Sequence, residues 1–312
     1  MTMVVALLCV SAQATPSAAQ NFPMRYIRLV TTEAGSGNDL ASRLIAPGLA
    51  AGLGQPVIVD HRGVLAAEIV ARSPPDGHTL VLYGSPLWLS PLMREASYDP
   101  IRDFSPISLV TNSPNVLVIH PSLPVTSVRG LVALARSRPG ELNYASGSSG
   151  ASSHLAAELF KSMAKVDIVR IPYKGLGPAL TALMSGQMQL MFANAGAVTP
   201  HVASGRLRPL AVTSAQPSSL APGLPTLASA GLSGYESTSI AGLLGPAKLP
   251  ASVMARLHQE VVRVLARPEV RDKLFQAGVE TVGNTPEEFS ATIKSEMARV
   301  GKLVREAGIR EQ

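Results

Sequence analysis

Short apolar runs alternate with amphipathic stretches along most of this 312-residue chain. Residues 27–30, 57–60 and 79–83 are rich in Ile, Leu and Val and have the length of buried strands. Between them, 40–53 and 66–71 repeat apolar positions at helical spacing. Strands separated by helices predict βαβ units and a mostly parallel sheet, because a parallel neighbour is reached only through a crossover. A long extended stretch follows, 104–110 and 116–120, broken by the turn-like Asn112-Ser113-Pro114-Asn115. A second series then reads as helix 128–137, strand 142–145, helix 154–165, strand 168–171, helix 177–185, and strands 188–192 and 210–212. Ala221-Pro222-Gly223-Leu224-Pro225 reads as a return crossing, and 240–245 as a further strand.

Two helices close the chain. Helix 251–266 carries Val253, Leu257, Val261 and Leu265 on one stripe. The other opens at Thr285-Pro286-Glu287-Glu288, where Thr285 can cap, Pro286 suits the first helical position and Glu288 can complete a capping box. Its apolar stripe is Phe289, Ile293, Met297, Val300 and Val304. This order predicts an α/β chain of two lobes, with residues 22–115 and 221–312 in one lobe and 116–220 in the other. Crossing segments near 105–120 and 212–226 would set a cleft between them.

Composition narrows the function. Hydrophobic residues make up 46% and charged residues 15%, enough apolar material for a sizeable core. Aromatics are only 4%, which argues against a stacking surface for single-stranded nucleic acid. The net charge of +6 comes from scattered Lys and Arg, so it describes a solvated surface and no nucleic-acid partner is expected. Residues 3–10 form an apolar run too short to span a bilayer, followed by small residues that offer cleavage after Ala14 or Ala19. Residues 1–19 therefore read as a secretory signal peptide in preference to a buried N-terminal segment; its basic start is missing, so either the start is truncated or export is impaired. A periplasmic location follows. The single cysteine, Cys9, lies inside this segment, so the mature chain is expected to hold no disulfide.

Two glycine- and serine-rich loops carry the candidate chemistry, each between a strand and a helix. The first holds Ala34, Gly35, Ser36, Gly37, Asn38 and Asp39; the second holds Ser146, Gly147, Ser148, Ser149, Gly150, Ser152 and His154. Small residues admit close approach to backbone N–H groups, and a helix start leaves such donors unpaired and partly positive. Ser85, past the third strand, and Ala193-Asn194, past the strand at 188–192, complete the expected ligand contacts. Asp39 favours its helix dipole or meets ligand; His154 is a cap, a surface side chain or a contact. Tyr173-Lys174-Gly175 is a turn or a site, Tyr83 and Trp88 are core or cleft wall, and Phe192 is expected in the core.

Other chemistries lack their signatures. Leu40 occupies the third glycine position of a dinucleotide fingerprint, and no Walker loop occurs. The histidines at 61, 78, 120, 154, 201 and 258 lack metal-ligand spacing. Gly147-Ser148-Ser149-Gly150 is not a nucleophile elbow. No catalytic residue, metal or cofactor is assigned, although a Ser/His/Asp set assembled in space stays open.

Several pieces, in order and spacing, resemble a known family. They include the Gly35-Ser36-Gly37-Asn38-Asp39 loop after Arg28-Leu29-Val30, Leu53-Gly54-Gln55-Pro56-Val57, Pro75-Asp76-Gly77-His78-Thr79-Leu80 and Tyr98-Asp99-Pro100. Leu142-Asn143-Tyr144-Ala145-Ser146, Val169-Arg170-Ile171-Pro172-Tyr173-Lys174-Gly175, Gly205-Arg206-Leu207-Arg208 and Thr285-Pro286-Glu287-Glu288-Phe289 continue the match. The chain is similar to the Bug receptors, the extracytoplasmic solute-binding proteins of tripartite tricarboxylate transporters. The resemblance implies a type II periplasmic-binding-protein (Venus flytrap) fold with two crossing segments. It also implies a small carboxylate held by backbone amides of the two loops, and delivery by a monomeric receptor to membrane permease subunits. A receptor for a sensor kinase would carry the same cleft, and a cleft hydrolase would need a serine beside His154 or His78.

Two departures from that family stand out. Glu33-Ala34-Gly35-Ser36 replaces its Pro-Pro-Gly-Gly approach, which makes Glu33 the specificity candidate, turned to solvent or selecting an amine or amide. After Asp60, His61-Arg62-Gly63-Val64-Leu65 runs almost directly into a helix, in a loop about four residues shorter than usual.

Overall fold

Neighbouring residues of the central strands face opposite helical layers, and this alternation builds both halves of the molecule. The computed structural model describes residues 22–147 and 150–308; the expected signal peptide, Ser148 and Ser149 lie outside the described residues. The first series is β1 (Ile27–Thr31), α1 (Gly37–Leu53), β2 (Val57–His61), α2 (Ala66–Ala71), β3 (Thr79–Gly84) and the short α3 (Pro86–Leu89). β4 (Phe104–Ile119) leads to α4 (Val128–Ser137), β5 (Asn143–Ser146), α5 (Ser152–Ala164), β6 (Val169–Pro172), α6 (Leu176–Met184), β7 (Leu190–Asn194), α7 (Ala195–Ala203) and β8 (Arg208–Val212). β9 (Thr238–Pro246) returns, followed by α8 (Ala251–Leu265), α9 (Pro268–Gln276), β10 (Glu280–Thr281) and α10 (Pro286–Ala307).

The strand order is β2-β1-β3-β9-β4-β7-β5-β6, with β8 and β10 also paired to β4. β1, β2 and β3 run parallel, as do β5, β6 and β7. β4 joins the lobes as one strand of 16 residues. Residues 104–114 pair with β9 and 115–119 with β7. The turn-like Asn112-Ser113-Pro114-Asn115 is thus no interruption. Its polar groups are satisfied by neighbours: Ser113 Oγ donates to the Gly278 carbonyl at 2.8 Å, and Asn115 N–H to Thr213 Oγ1 at 2.8 Å. Pro114 ends the pairing with β9 as Asn115 begins that with β7, the place where a missing N–H costs least.

In the first lobe, Leu29, Leu80 and Leu82 pack against Ile45 and Leu49 of α1 and Leu257 and Val261 of α8. Val30, Val81 and Tyr83 face the other way, onto Ala67, Trp88 and, from α10, Phe289 and Ile293. The second lobe repeats the pattern. Leu117, Tyr144 and Phe192 pack with Phe160, while Val116, Ala145 and Met191 pack with Leu183 and Val198. Period two in the strands therefore decides which helices they hold.

The expected capping box at α10 is present: Thr285 Oγ1 accepts from Glu288 N–H at 3.2 Å, and the Glu288 carboxylate from Thr285 N–H at 2.9 Å. Helices α3, α7 and α9 were not expected. α7 carries Pro200 and opens Ala195-Gly196-Ala197, so neither periodicity nor propensity marks it; Asn194 caps it by accepting from Gly196 N–H.

The return crossing lies later than expected. Leu227, Leu232 and Tyr235 join the second-lobe core, and the Tyr235 hydroxyl donates to the Ala156 carbonyl at 2.7 Å. Residues 221–235, read from the sequence as first-lobe, belong by these contacts to the second. The chain crosses back where Ser237 N–H meets the Thr213 carbonyl and Thr238 pairs with Pro114.

Candidate functional site

The two lobes touch through α5 and α10. Leu155 and Leu159 of α5 pack with Leu89, Val300 and Leu303 of the first lobe. Beside this contact lies a cavity of ≈ 120 Å³ whose polar wall includes Ser85, Ser152, Glu236, Thr238, Glu296 and Arg299, with Gly150 and Ala151 alongside. That volume suits a small molecule, since apolar cavities of about 150 Å³ hold benzene.

Ser85 is where the first lobe enters the cavity. Its hydroxyl donates to both Glu296 carboxylate oxygens, at 3.0 and 3.2 Å, and Trp88 Nε1–H donates to the same group at 2.6 Å. Glu296 is 8% exposed. Burial raises its pKa, and the bonds from Trp88 and Ser85 offset only part of that. Trp88 is core, edge-on to Phe289. One turn further along α10, Arg299 pairs with Glu236 at 3.1 Å.

Sequence reasoning missed Glu236, Glu296 and Arg299. A signal did exist for Glu296. It lies three residues after Ile293 and four before Val300, inside the buried stripe and not on the polar face.

The second loop is braced from beneath. Arg170 Nε donates to Ser146 Oγ at 2.8 Å, and its Nη2 to the Gly147 carbonyl at 2.9 Å. Ser153 Oγ accepts from Gly147 N–H at 3.1 Å, and His154 Nδ1 from Gly150 N–H at 3.1 Å. Burial, seconded by the positive Arg170, lowers the His154 pKa to about 4, so the ring is neutral and can accept. Ser146, Gly147 and His154 are buried supports and not cavity wall, whereas Gly150 and Ser152 line the cavity. Helix α5 opens on Ala151 without a side-chain cap. Ser148 and Ser149 lie outside the described residues.

The first loop does not line this cavity. Asp39 is buried and committed internally: it accepts from Gly35 N–H at 2.8 Å, Arg43 Nε at 2.7 Å and the His61 ring at 2.6 Å. Burial alone would raise its pKa, but those bonds prevail and hold it at about 2. Ser36 Oγ caps α1 by accepting from Asp39 N–H. Ala34, Gly35 and Gly37 are exposed, and Asn38 sits near Gly84, next to Ser85.

The two sequence departures meet in space. A Cβ at Gly63, where φ is +56°, would lie 2.8 Å from the Glu33 carboxylate. The short loop thus puts His61 on Asp39 and Gly63 under Glu33, whose side chain is exposed.

Two further expected contacts are placed elsewhere. Ala193 is fully buried in the second-lobe core, because its position in β7 points into the sheet's helical layer. Asn194 pairs with Asn115 of β4, its Nδ2 donates to Ser113 Oγ and its Oδ1 caps α7. Tyr173-Lys174-Gly175 leads from β6 into α6 away from the cavity wall. Among the described residues neither His154 nor His78 bonds a serine; His78 instead meets Met24 N–H and Asp76. No group of three or more metal-binding side chains converges among them.

The model of the tripartite tricarboxylate transporter family receptor, TctC, matches residues 41–309. The chain belongs to this family. Among curated relatives, protein BugT of Bordetella pertussis is 33% identical over 95% of this chain and 93% of its own length. A protein from the tcbD-tcbE intergenic region of Pseudomonas sp. strain P51 is 32% identical over 97% of this chain and 92% of its own length. Among solved structures, R. palustris Rpa4515 with adipate is 36% identical, covers 93% of this chain and 100% of its own, and has a TM-score of 0.76. MatC from Rhodopseudomonas palustris with bound malate is 28% identical, with coverage of 91% and 100% and a TM-score of 0.73. A TctC solute-binding protein from Polaromonas, 24% identical, supports the fold with a TM-score of 0.84 over 91% of this chain and 99% of its own. The two-lobed fold expected of these receptors is the fold observed, and the family is one of solute receptors.

Proposed function

We propose that this TctC-family chain is a periplasmic receptor that holds a small organic carboxylate between its lobes and delivers it to the permease of a tripartite transporter. The observation carrying this reading is the cavity shared by Ser85 of the first lobe and Gly150, Ala151 and Ser152 at the uncapped start of α5. Unpaired amides at a helix start and a hydroxyl across the cleft are suited to a carboxylate. The adipate and malate complexes of the two relatives support that ligand class. The exposed first-loop residues Ala34, Gly35 and Gly37, with the half-buried Asn38, close over the other end of the ligand, while Asp39 keeps their loop in shape. A ligand bridging both lobes favours the closed form, which the permease reads. Export through the N-terminal segment 1–19 places the receptor in the periplasm.

A thermal-shift screen of adipate, malate, other dicarboxylates, amino acids and amides tests the reading. A bound carboxylate at a hundred times its Kd is expected to stabilise the fold by about 2.7 kcal/mol. Stabilisation by neutral solutes alone would refute it.

A further inference from the structure

Glu296 is a buried carboxylate whose partner, Ser85, faces the ligand cavity. A serine hydroxyl has one hydrogen. With Glu296 ionised, that hydrogen is committed to the carboxylate, and only lone pairs of Ser85 Oγ remain for the cavity. Such a serine repels a ligand carboxylate and accepts from an ammonium or amide. With a proton on Oε1, the acid donates to Ser85 Oγ, while Oε2 still accepts from Trp88 Nε1–H. The Ser85 hydrogen is then released and can donate into the cavity.

We propose that Glu296 takes up a proton from solvent when a carboxylate binds against Ser85, so that anion affinity rises as pH falls. The proposal rests on the carboxylate-receptor reading above and makes Glu296 a positioning residue, acting through Ser85. The charged groups facing Glu296 are Arg299 on its own helix and Glu236 on the crossing segment, which are paired to each other. The end of β3 and α3 present the uncharged Ser85 and Trp88, and α5 presents Leu155, Leu159 and Ser152. Arg299 favours the ionised form of Glu296 and Glu236 opposes it, and burial outweighs Arg299. The Glu296 pKa is therefore raised before any ligand arrives.

Calorimetric titration of adipate and malate between about pH 6.5 and 8.5, where free carboxylates are ionised, tests the proposal. Repeating each titration in buffers of different ionisation enthalpy counts the protons. The wild type is expected to take up as much as one proton per ligand, with Kd weakening by as much as tenfold per pH unit. Glu296→Gln places an amide where the protonated acid would be, oxygen to Trp88 and NH2 to Ser85. It is expected to take up no proton and to bind more tightly than wild type at the alkaline end. Ser85→Ala, which removes the relay, is expected to bind more weakly than wild type at the acid end and to lose most of the pH dependence. Wild-type binding with no proton taken up, or a pH dependence retained in Glu296→Gln, overturns this inference and leaves the receptor reading standing. If no screened carboxylate binds wild type, both readings are overturned.

Discussion

Protonating His154 should unlock the second loop. Its Nδ1 accepts from Gly150 N–H, a bond that an imidazolium cannot make. Burial, with Arg170 adding to it, places the folded pKa at about 4, against 6.5 for a free ring. The unfolded chain therefore binds the proton first as pH falls. Stability that is complete above the ordinary value is lost progressively between 6.5 and 4. The difference of about 2.5 pH units corresponds to about 3 kcal/mol. His154→Asn offers an oxygen near the position of Nδ1 and does not titrate, so it supplies the control. Urea unfolding of both proteins at pH 7 and pH 4 should show the wild type losing about 3 kcal/mol more than the variant. An NMR titration should put the His154 ring near 4, well below the 6.5 of a free ring. Equal pH slopes for the two proteins, or a ring titrating near 6.5, would refute the bracing role given to this side chain.

Other perturbations probe the frame around the cavity. Asn194→Ala removes the cap of α7 and the bond to Ser113, and should cost about 1–2 kcal/mol by denaturant midpoint. Gly48→Val should cost about 1–3 kcal/mol or more, because even a Cβ at that point lies 2.7 Å from Val264 Cγ2 where α1 meets α8. Asp39, held at about 2, contributes stability above its unfolded value near 3.8 that is lost as pH falls towards 2. Asp39→Asn should abolish that acid-limb loss while exposing Gly35 N–H to faster hydrogen exchange. Glu33→Ala should leave stability unchanged within about 0.5 kcal/mol, since the side chain is exposed. Comparing dicarboxylates with their amides on that variant tests whether Glu33 sets ligand preference.

Local pattern carried much of the fold. Strands at β1, β3 and β7 could be read because Leu29, Leu80 and Phe192 sit in runs that only a buried strand accommodates. The stripe from Phe289 to Val304 and the Thr285 capping box marked α10 because both signals fall within one helix. What escaped depended on residues distant in sequence. Asn112-Ser113-Pro114-Asn115 has turn composition, yet Thr213 and Gly278 supply its partners and keep β4 continuous across both lobes. Tyr235 holds its segment to the second lobe through the carbonyl of Ala156, 79 residues away. The cavity itself followed the same rule. Ser85, Gly150 and Ser152 could be proposed from strand ends and small residues, but Glu296 meets Ser85 across 211 residues. Asp39 looked suited to a ligand, and only its contact with His61 shows that it serves its own loop.

The structure of the protein with adipate or malate bound is the most direct measurement. A ligand carboxylate is expected within hydrogen-bond distance of Ser85 Oγ and of backbone N–H groups at residues 151–152, with Glu296 alongside. A ligand seated elsewhere, for example in the apolar hollow formed by Val198, Val202, Leu220 and Leu224, or held by one lobe alone, would contradict carboxylate capture between the lobes.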